Sequence, residues 1–136
     1  ERMKQAGRGH IVNIVSTAGL IASAKSSLYS ATKFAGIGFS NALRLELMPY
    51  NGYVTTVNPG PIKTAFFDKA DPDGSYVKAV DKYILEADTV AKQIVNNFGK
   101  KKRELIMPFT LKAAYKLYTL FPNLGDKLAS KMFNYK

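Results

Sequence analysis

The residues best suited to chemistry gather first in Tyr29-Ser30-Ala31-Thr32-Lys33. A helix carries residues i and i+4 on one side, so the phenol and the ammonium of this stretch face the same way. An ammonium held close to a phenol favours the phenolate, and so draws a group that otherwise titrates near about 10 toward the working range of an acid/base catalyst. Taken alone, such a pair is ordinarily a solvated surface contact. Its setting changes the reading, because a strand ending in the hydroxyl of Ser16 precedes the helix and a Pro59-Gly60 strand exit follows it.

The rest of the composition narrows the chemistry. The chain has 136 residues and no cysteine, and His10 is its single histidine. Disulfides, thiol catalysis, a zinc cluster and a histidine-based nucleophile triad are therefore not expected, and no metal site is. Acid/base work falls to Tyr, Lys, Asp or Glu. With 46% hydrophobic and 22% charged residues, the balance is that of one globular unit or part of one. Neither a secretory signal nor an apolar stretch near 18 residues is visible, which points to a cytoplasmic setting. Nine basic residues against two acidic ones follow residue 99, so +7 of the formal +10 lies in the tail. Such charge raises nucleic acid as a partner, but no nucleic-acid motif accompanies it, and none is expected to bind.

The elements that must position these residues can be read in order. Glu1-Arg2-Met3-Lys4-Gln5 reads as the closing turns of a helix, with the expectation that a longer chain precedes it. Gly7 and Gly9 then turn the chain into a strand over 10–15, rich in branched apolar residues as in a strand buried on both faces of a parallel sheet. Ser16 sits at the carboxyl edge of that strand, where open α/β sheets place their ligand crevice. A small-residue loop follows, and Ser26 or Ser27 caps a long buried helix over 28–47. Pro49 ends the helix, Asn51-Gly52 turns the chain, and 53–58 forms the next buried strand. Strand, helix, strand in this order argues for a parallel sheet. Pro59-Gly60-Pro61-Ile62-Lys63-Thr64 leaves it as a stiffened loop. The polar stretch 68–81, broken by Pro72 and Gly74, has the composition of a flap over a cleft. A helix over 87–98, a basic turn at 100–103 and a short strand over 104–107 close the body. Beyond Pro108, the segments 109–121 and 124–133 read as an amphipathic helical tail, interrupted by Pro122.

With these elements placed, the chain resembles the carboxyl-terminal half of a short-chain dehydrogenase/reductase from Met3 to about Pro108. Three pieces carry the resemblance: Gly9 to Ser16 as the strand bearing the family's serine, Tyr29 to Lys33 as its YxxxK helix, and Asn58 to Thr64 as its PGxxxT loop. The implied fold is α/β, the C-terminal half of a doubly wound, Rossmann-type parallel sheet over residues 1–108. The helical extension over 109–136 follows it. The resemblance implies an NAD(P)-dependent oxidoreductase that interconverts a carbonyl and an alcohol. Tyr29 would pass the proton, Lys33 would activate Tyr29 and hold the nicotinamide ribose, and Ser16 would bind and orient the reacting oxygen. Pro59, Gly60, the backbone of Ile62 and the Thr64 side chain would wall in the nicotinamide carboxamide. NAD and NADP are equally open.

Two departures matter. The family's frequent Ser-Ser is Val15-Ser16 here, and no GxGxxG phosphate loop occurs in the chain. The implied catalyst would need that loop from upstream, so the isolated chain is expected to be inactive. A homo-oligomer through the helix 28–47 is expected alongside a small-molecule carbonyl or alcohol substrate. The alternative is a catalytically silent module that attaches to a membrane or a partner through the basic tail, with peripheral membrane contact by 109–136.

Overall fold

The computed structural model describes residues 1–132, and the end of the expected extension, 133–136, lies outside the described residues. A short helix α1 (Arg2–Gln5) leads into strand β1 (Gly9–Ile14), a 3-10 turn over Thr17–Gly19, and the long helix α2 (Ser27–Leu47). Strand β2 (Gly52–Pro59) follows, then β3 (Ile62–Lys63), α3 (Phe66–Ala70), α4 (Ser75–Val80), β4 (Leu85–Glu86), α5 (Ala87–Val95) and β5 (Glu104–Met107). Two tail helices close the described chain, α6 (Phe109–Leu120) and α7 (Pro122–Met132).

The sheet has the order β1-β2-β5, with both pairings parallel. Parallel neighbours need a crossover, and α2 supplies it between β1 and β2. Side chains of successive strand residues point to opposite faces, and the contacts follow that alternation. Asn13 donates from Nδ2 to Ser40 Oγ at 2.8 Å, on the α2 side. Val12 packs on the other side, in the cluster built around Val57, Val90 and Met107 with Leu105 and Ile94, against α5. Burying each such apolar side chain contributes about 1.5–3 kcal/mol. The sheet is thus a middle layer between α2 and α5.

Several expectations are corrected. β1 is half-buried rather than buried on both faces, and Ile14 is 57% exposed, because β1 is paired on one side only among the described residues. Only Ser30, Ser40 and Leu47 of α2 are buried, while Leu28, Phe39 and Leu45 are exposed; apart from Leu47, the helix buries small residues and leaves these bulky ones outside. Ser26 does stand at the N-cap, but its side chain makes no cap bond and donates instead to the Ser23 carbonyl. The stretch 68–81 is not a plain loop. Asp71 accepts from the backbone N–H groups of Tyr76 and Val77 at 3.1 and 2.8 Å, satisfying free donors of the first turn of α4. β3 and β4 pair in parallel, Ile62 with Leu85, a contact too short to leave a periodic signal. α5 stops at Val95, three residues before the expected end.

The tail is a helical hairpin. Tyr118 donates from its hydroxyl to Asp126 at 2.9 Å, and that carboxylate holds the phenol above its ordinary titration range. Gly125 lies so close to the Tyr118 ring that a Cβ there would overlap it. Pro122, placed as a break, stands at the first position of α7, where a missing N–H costs nothing.

Candidate active site

All three main strands run the same way, so their carboxyl ends share one edge, and the chain is pinned there by short polar links. The Val15 N–H donates to the Val57 carbonyl at 2.8 Å, carrying the pairing one residue past β1. Ser16 follows as the N-cap of the 3-10 turn and accepts from the Ala18 N–H at 3.1 Å. Its hydroxyl proton has no acceptor among the described residues. Thr17 donates to the Pro59 carbonyl at 3.2 Å, and the Gly60 N–H donates to the Met107 carbonyl at 2.7 Å. These bonds tie the end of β1 to that of β2, and the end of β2 to that of β5. Asn58, fully buried at the end of β2, keeps its amide oxygen without a partner among the described residues.

Tyr29 and Lys33 lie in the first turns of α2. Lys33 Nζ stands 5.4 Å from the centroid of the Tyr29 ring, so the ammonium sits over the ring face, an attraction worth about 0.5–1 kcal/mol at an exposed site. The Tyr29 hydroxyl makes no hydrogen bond among the described residues, and the ring is 39% exposed. The Ser16 turn meets this helix through Gly19. A Cβ at Gly19 would lie 2.7 Å from the Lys33 carbonyl oxygen and 2.8 Å from its carbon, so only glycine lets the turn come this near the Lys33 backbone.

From the other side, Phe66 at the start of α3 brings its ring to 6.1 Å from that of Tyr29. The aromatic contacts continue from Phe66 to Phe67 at 5.4 Å and from Phe67 to Tyr76 of α4 at 5.6 Å. Ile62 lies in β3, and Thr64 is exposed just beyond, accepting from the Phe66 N–H at 3.4 Å. An open cavity of about 430 Å³ lies beside Thr64, lined by Lys63, Phe67, Asp71, Val77 and Ile84 among others. At Gly60, a Cβ would meet Leu111 Cδ1 at 2.8 Å, so α6 rests on the Pro59-Gly60 turn.

Tyr29, Lys33, Ser16 and the Pro59–Thr64 segment are therefore linked around one sheet edge through Gly19, Thr17 and Phe66. The first and last of these linking residues escaped the sequence reading. A glycine three residues past a strand-end serine reads only as a turn former, and Phe66 falls between the loop ending at Thr64 and the polar stretch beginning at Asp68, in neither element. Among the described residues no group of His, Asp and Glu could hold a metal ion.

The comparisons with known proteins agree on the class. The short chain dehydrogenase family model matches residues 1–75, and the chain belongs to that family. It is 38% identical over 128 residues to dehydrogenase/reductase SDR family member 7B of Xenopus laevis, a match covering 90% of this chain and 40% of that protein. Among solved structures, it superposes on a short-chain dehydrogenase from Sphingobium yanoikuyae in complex with NADPH at a TM-score of 0.69 and 26% identity, covering 99% of this chain and 49% of that one. A short chain dehydrogenase from Burkholderia cenocepacia, in complex with NADP, has a TM-score of 0.74 at 20% identity and so shares the fold. The chain spans 40% to 50% of the length of these relatives. The doubly wound, parallel-sheet α/β architecture is thus that of the family, in part.

Proposed function

We propose that this chain carries the catalytic and nicotinamide-binding side of an NAD(P)-dependent short-chain dehydrogenase that interconverts a carbonyl and an alcohol. Residues 1–108 are the catalytic half of the domain, and 109–136 its extension. The observation that carries the reading is the Lys33 ammonium over the Tyr29 ring, on a helix that the Ser16 turn touches at Lys33.

The donor set suits a nicotinamide riboside. An ammonium at Lys33 and a phenol at Tyr29 can bond ribose hydroxyls, while the Thr64 hydroxyl and the Ile62 backbone can bond a carboxamide beside the wall of Pro59 and Gly60. When bound, the nicotinamide supplies the hydride chemistry, and the neighbouring structure from Sphingobium yanoikuyae holds NADPH. The chain's own residues do the rest. In the reducing direction the Tyr29 hydroxyl gives its proton to the substrate oxygen, the free Ser16 O–H donates to the same oxygen and fixes its position, and the Lys33 charge stabilises the phenolate left behind. In the oxidising direction the phenolate takes the proton back.

Lys33→Ala in the full-length protein should raise the KM for cofactor by about tenfold or more, the size expected for a lost charge-assisted hydrogen bond. Steady-state kinetics against NADH and NADPH measure it, and an unchanged KM would remove Lys33 from the ribose. The exposed Leu28, Phe34, Phe39 and Leu45 support the further proposal that α2 forms a homo-oligomer contact.

A second reading concerns the tail. No described helix is long and apolar enough to cross a membrane. Phe109 is 77% and Leu120 72% exposed on α6, which also carries Lys112 and Lys116, the pattern of a helix lying in an anionic interface. Cosedimentation with vesicles containing anionic lipid should fall severalfold for a version ending at Pro108; equal binding by both versions would remove the tail from membrane contact.

A further inference from the structure

At the opposite edge of the sheet, where the strands begin, the segment between α5 and β5 is fixed at several points of its backbone. The Gly99 N–H donates to His10 Nδ1 at 3.1 Å, and the other ring nitrogen of His10, carrying the proton, bonds the Thr55 hydroxyl at 2.8 Å. Thr55 passes its own proton to the Lys102 carbonyl at 2.6 Å. The Arg103 carbonyl accepts twice, from the Thr56 N–H at 3.2 Å and from Arg44 Nη2 at 3.2 Å. Three consecutive cations, Lys101, Lys102 and Arg103, therefore project from a held segment rather than from a loose turn.

Their surroundings gather like charge. Arg44 is anchored at α2, donating from Nε to the Val54 carbonyl at 3.0 Å and from Nη1 to Asn41 Oδ1 at 2.6 Å. Arg103 Nη2 donates to that same amide oxygen at 2.9 Å, so two guanidiniums meet at one neutral acceptor. Burial and the neighbouring Arg103 charge both push the Arg44 guanidinium below its ordinary range, with Glu104 offsetting part of this. Lys101 Nζ stands 4.7 Å from the Tyr53 ring centroid. These four cations line an open cavity of about 390 Å³ that has no carboxylate in its wall, and none of them is in a salt bridge among the described residues. The volume falls within the roughly 300–1,000 Å³ of small-molecule sites. Cations brought together in this way are destabilising until an anion joins them.

We infer that this pocket of Arg44, Lys101, Lys102 and Arg103 is a binding site for a phosphate-bearing anion, with a diphosphate favoured over a single phosphate because several cations share one cavity. Arg44 is its frame, with three N–H groups bonded to the protein, and Lys101, Lys102 and Arg103 supply the charge that faces the cavity. The site lies at the amino ends of β2 and β5, away from the edge that carries Tyr29, and stands whether or not the proposed oxidoreductase activity does.

The test is calorimetric titration of the full-length protein with pyrophosphate at constant ionic strength, with NADH and NADPH both saturating so that any nucleotide site is filled. Three forms are compared: wild type, the triple variant Lys101→Gln, Lys102→Gln, Arg103→Gln, and the triple variant Lys78→Gln, Lys82→Gln, Lys92→Gln, which loses the same charge from exposed positions outside both the pocket and the tail. A parallel arm measures binding to phosphatidylcholine vesicles containing phosphatidic acid. Saturable pyrophosphate binding, weakened about tenfold or more by the first variant and unchanged in the second, supports the site with a free phosphate compound as ligand. The same pattern in the vesicle arm alone supports the site with a lipid headgroup as ligand. Equal weakening by both variants, no weakening by the first, or no saturable binding in either arm overturns it.

Discussion

Gly19→Ala should lower stability by about 1–3 kcal/mol, the usual range for an extra methyl forced into a filled space, and reduce turnover well beyond what the stability loss explains. The added Cβ would sit 2.7 Å from the Lys33 carbonyl oxygen and 2.8 Å from the carbonyl carbon, which belong to a helix backbone that cannot give way locally. Ile37 Cδ1, at 3.0 Å, can move aside; the peptide group cannot. Relief must come from the turn itself, and that turn carries Ser16 at its N-cap. Moving it displaces the Ser16 hydroxyl relative to Tyr29 and Lys33. Gly36→Ala, on the same helix as Lys33, is the matched control, because its new Cβ meets only the Val15 side chain, at 3.5 and 3.8 Å, an ordinary packing distance. Thermal denaturation and kcat/KM of both variants in the full-length protein measure the contrast. A Gly19→Ala protein as stable and active as the Gly36→Ala one would show that the close approach has no consequence.

The elements that needed only local pattern were legible in the sequence. The runs at 10–15 and 53–58 gave two parallel strands, and the helix expected over 28–47 runs over Ser27–Leu47, ending two residues before Pro49. What depended on a distant partner was not legible. The branched apolar run of β1 could not reveal that Ile14 would stand exposed, because burial is decided by what lies across the sheet. The helices on either side of Pro72 were hidden by their polar composition, and α4 rests on Asp71 carboxylate bonds that no periodicity records. In the candidate site, the spacing of Tyr29 and Lys33 on one helix was readable, as was a serine at a strand end. That the Phe66 ring would meet Tyr29, or that Gly19 would be the point where the Ser16 turn touches α2, follows from folding and not from spacing. The basic run at 100–103 was read as a turn, because the bonds from His10, Arg44 and Thr55 that hold it come from 47 to 89 residues away.

In the proposed reaction, the Tyr29 hydroxyl is the group that exchanges a proton with the substrate oxygen. Tyr29→Phe removes one oxygen that makes no hydrogen bond to the described protein and keeps the ring that contacts Phe66 and lies under Lys33. The fold should therefore be unchanged, while the lost general acid should lower kcat by about 10²–10⁴-fold. Cofactor affinity should fall far less, since Lys33 remains. The decisive measurement is kcat of Tyr29→Phe beside wild type, with NAD(P)H oxidation followed by absorbance and circular dichroism recorded on the same samples. A folded variant with turnover reduced by at least about a hundredfold is the predicted result; a folded variant turning over at near the wild-type rate would contradict the assignment of the proton to Tyr29.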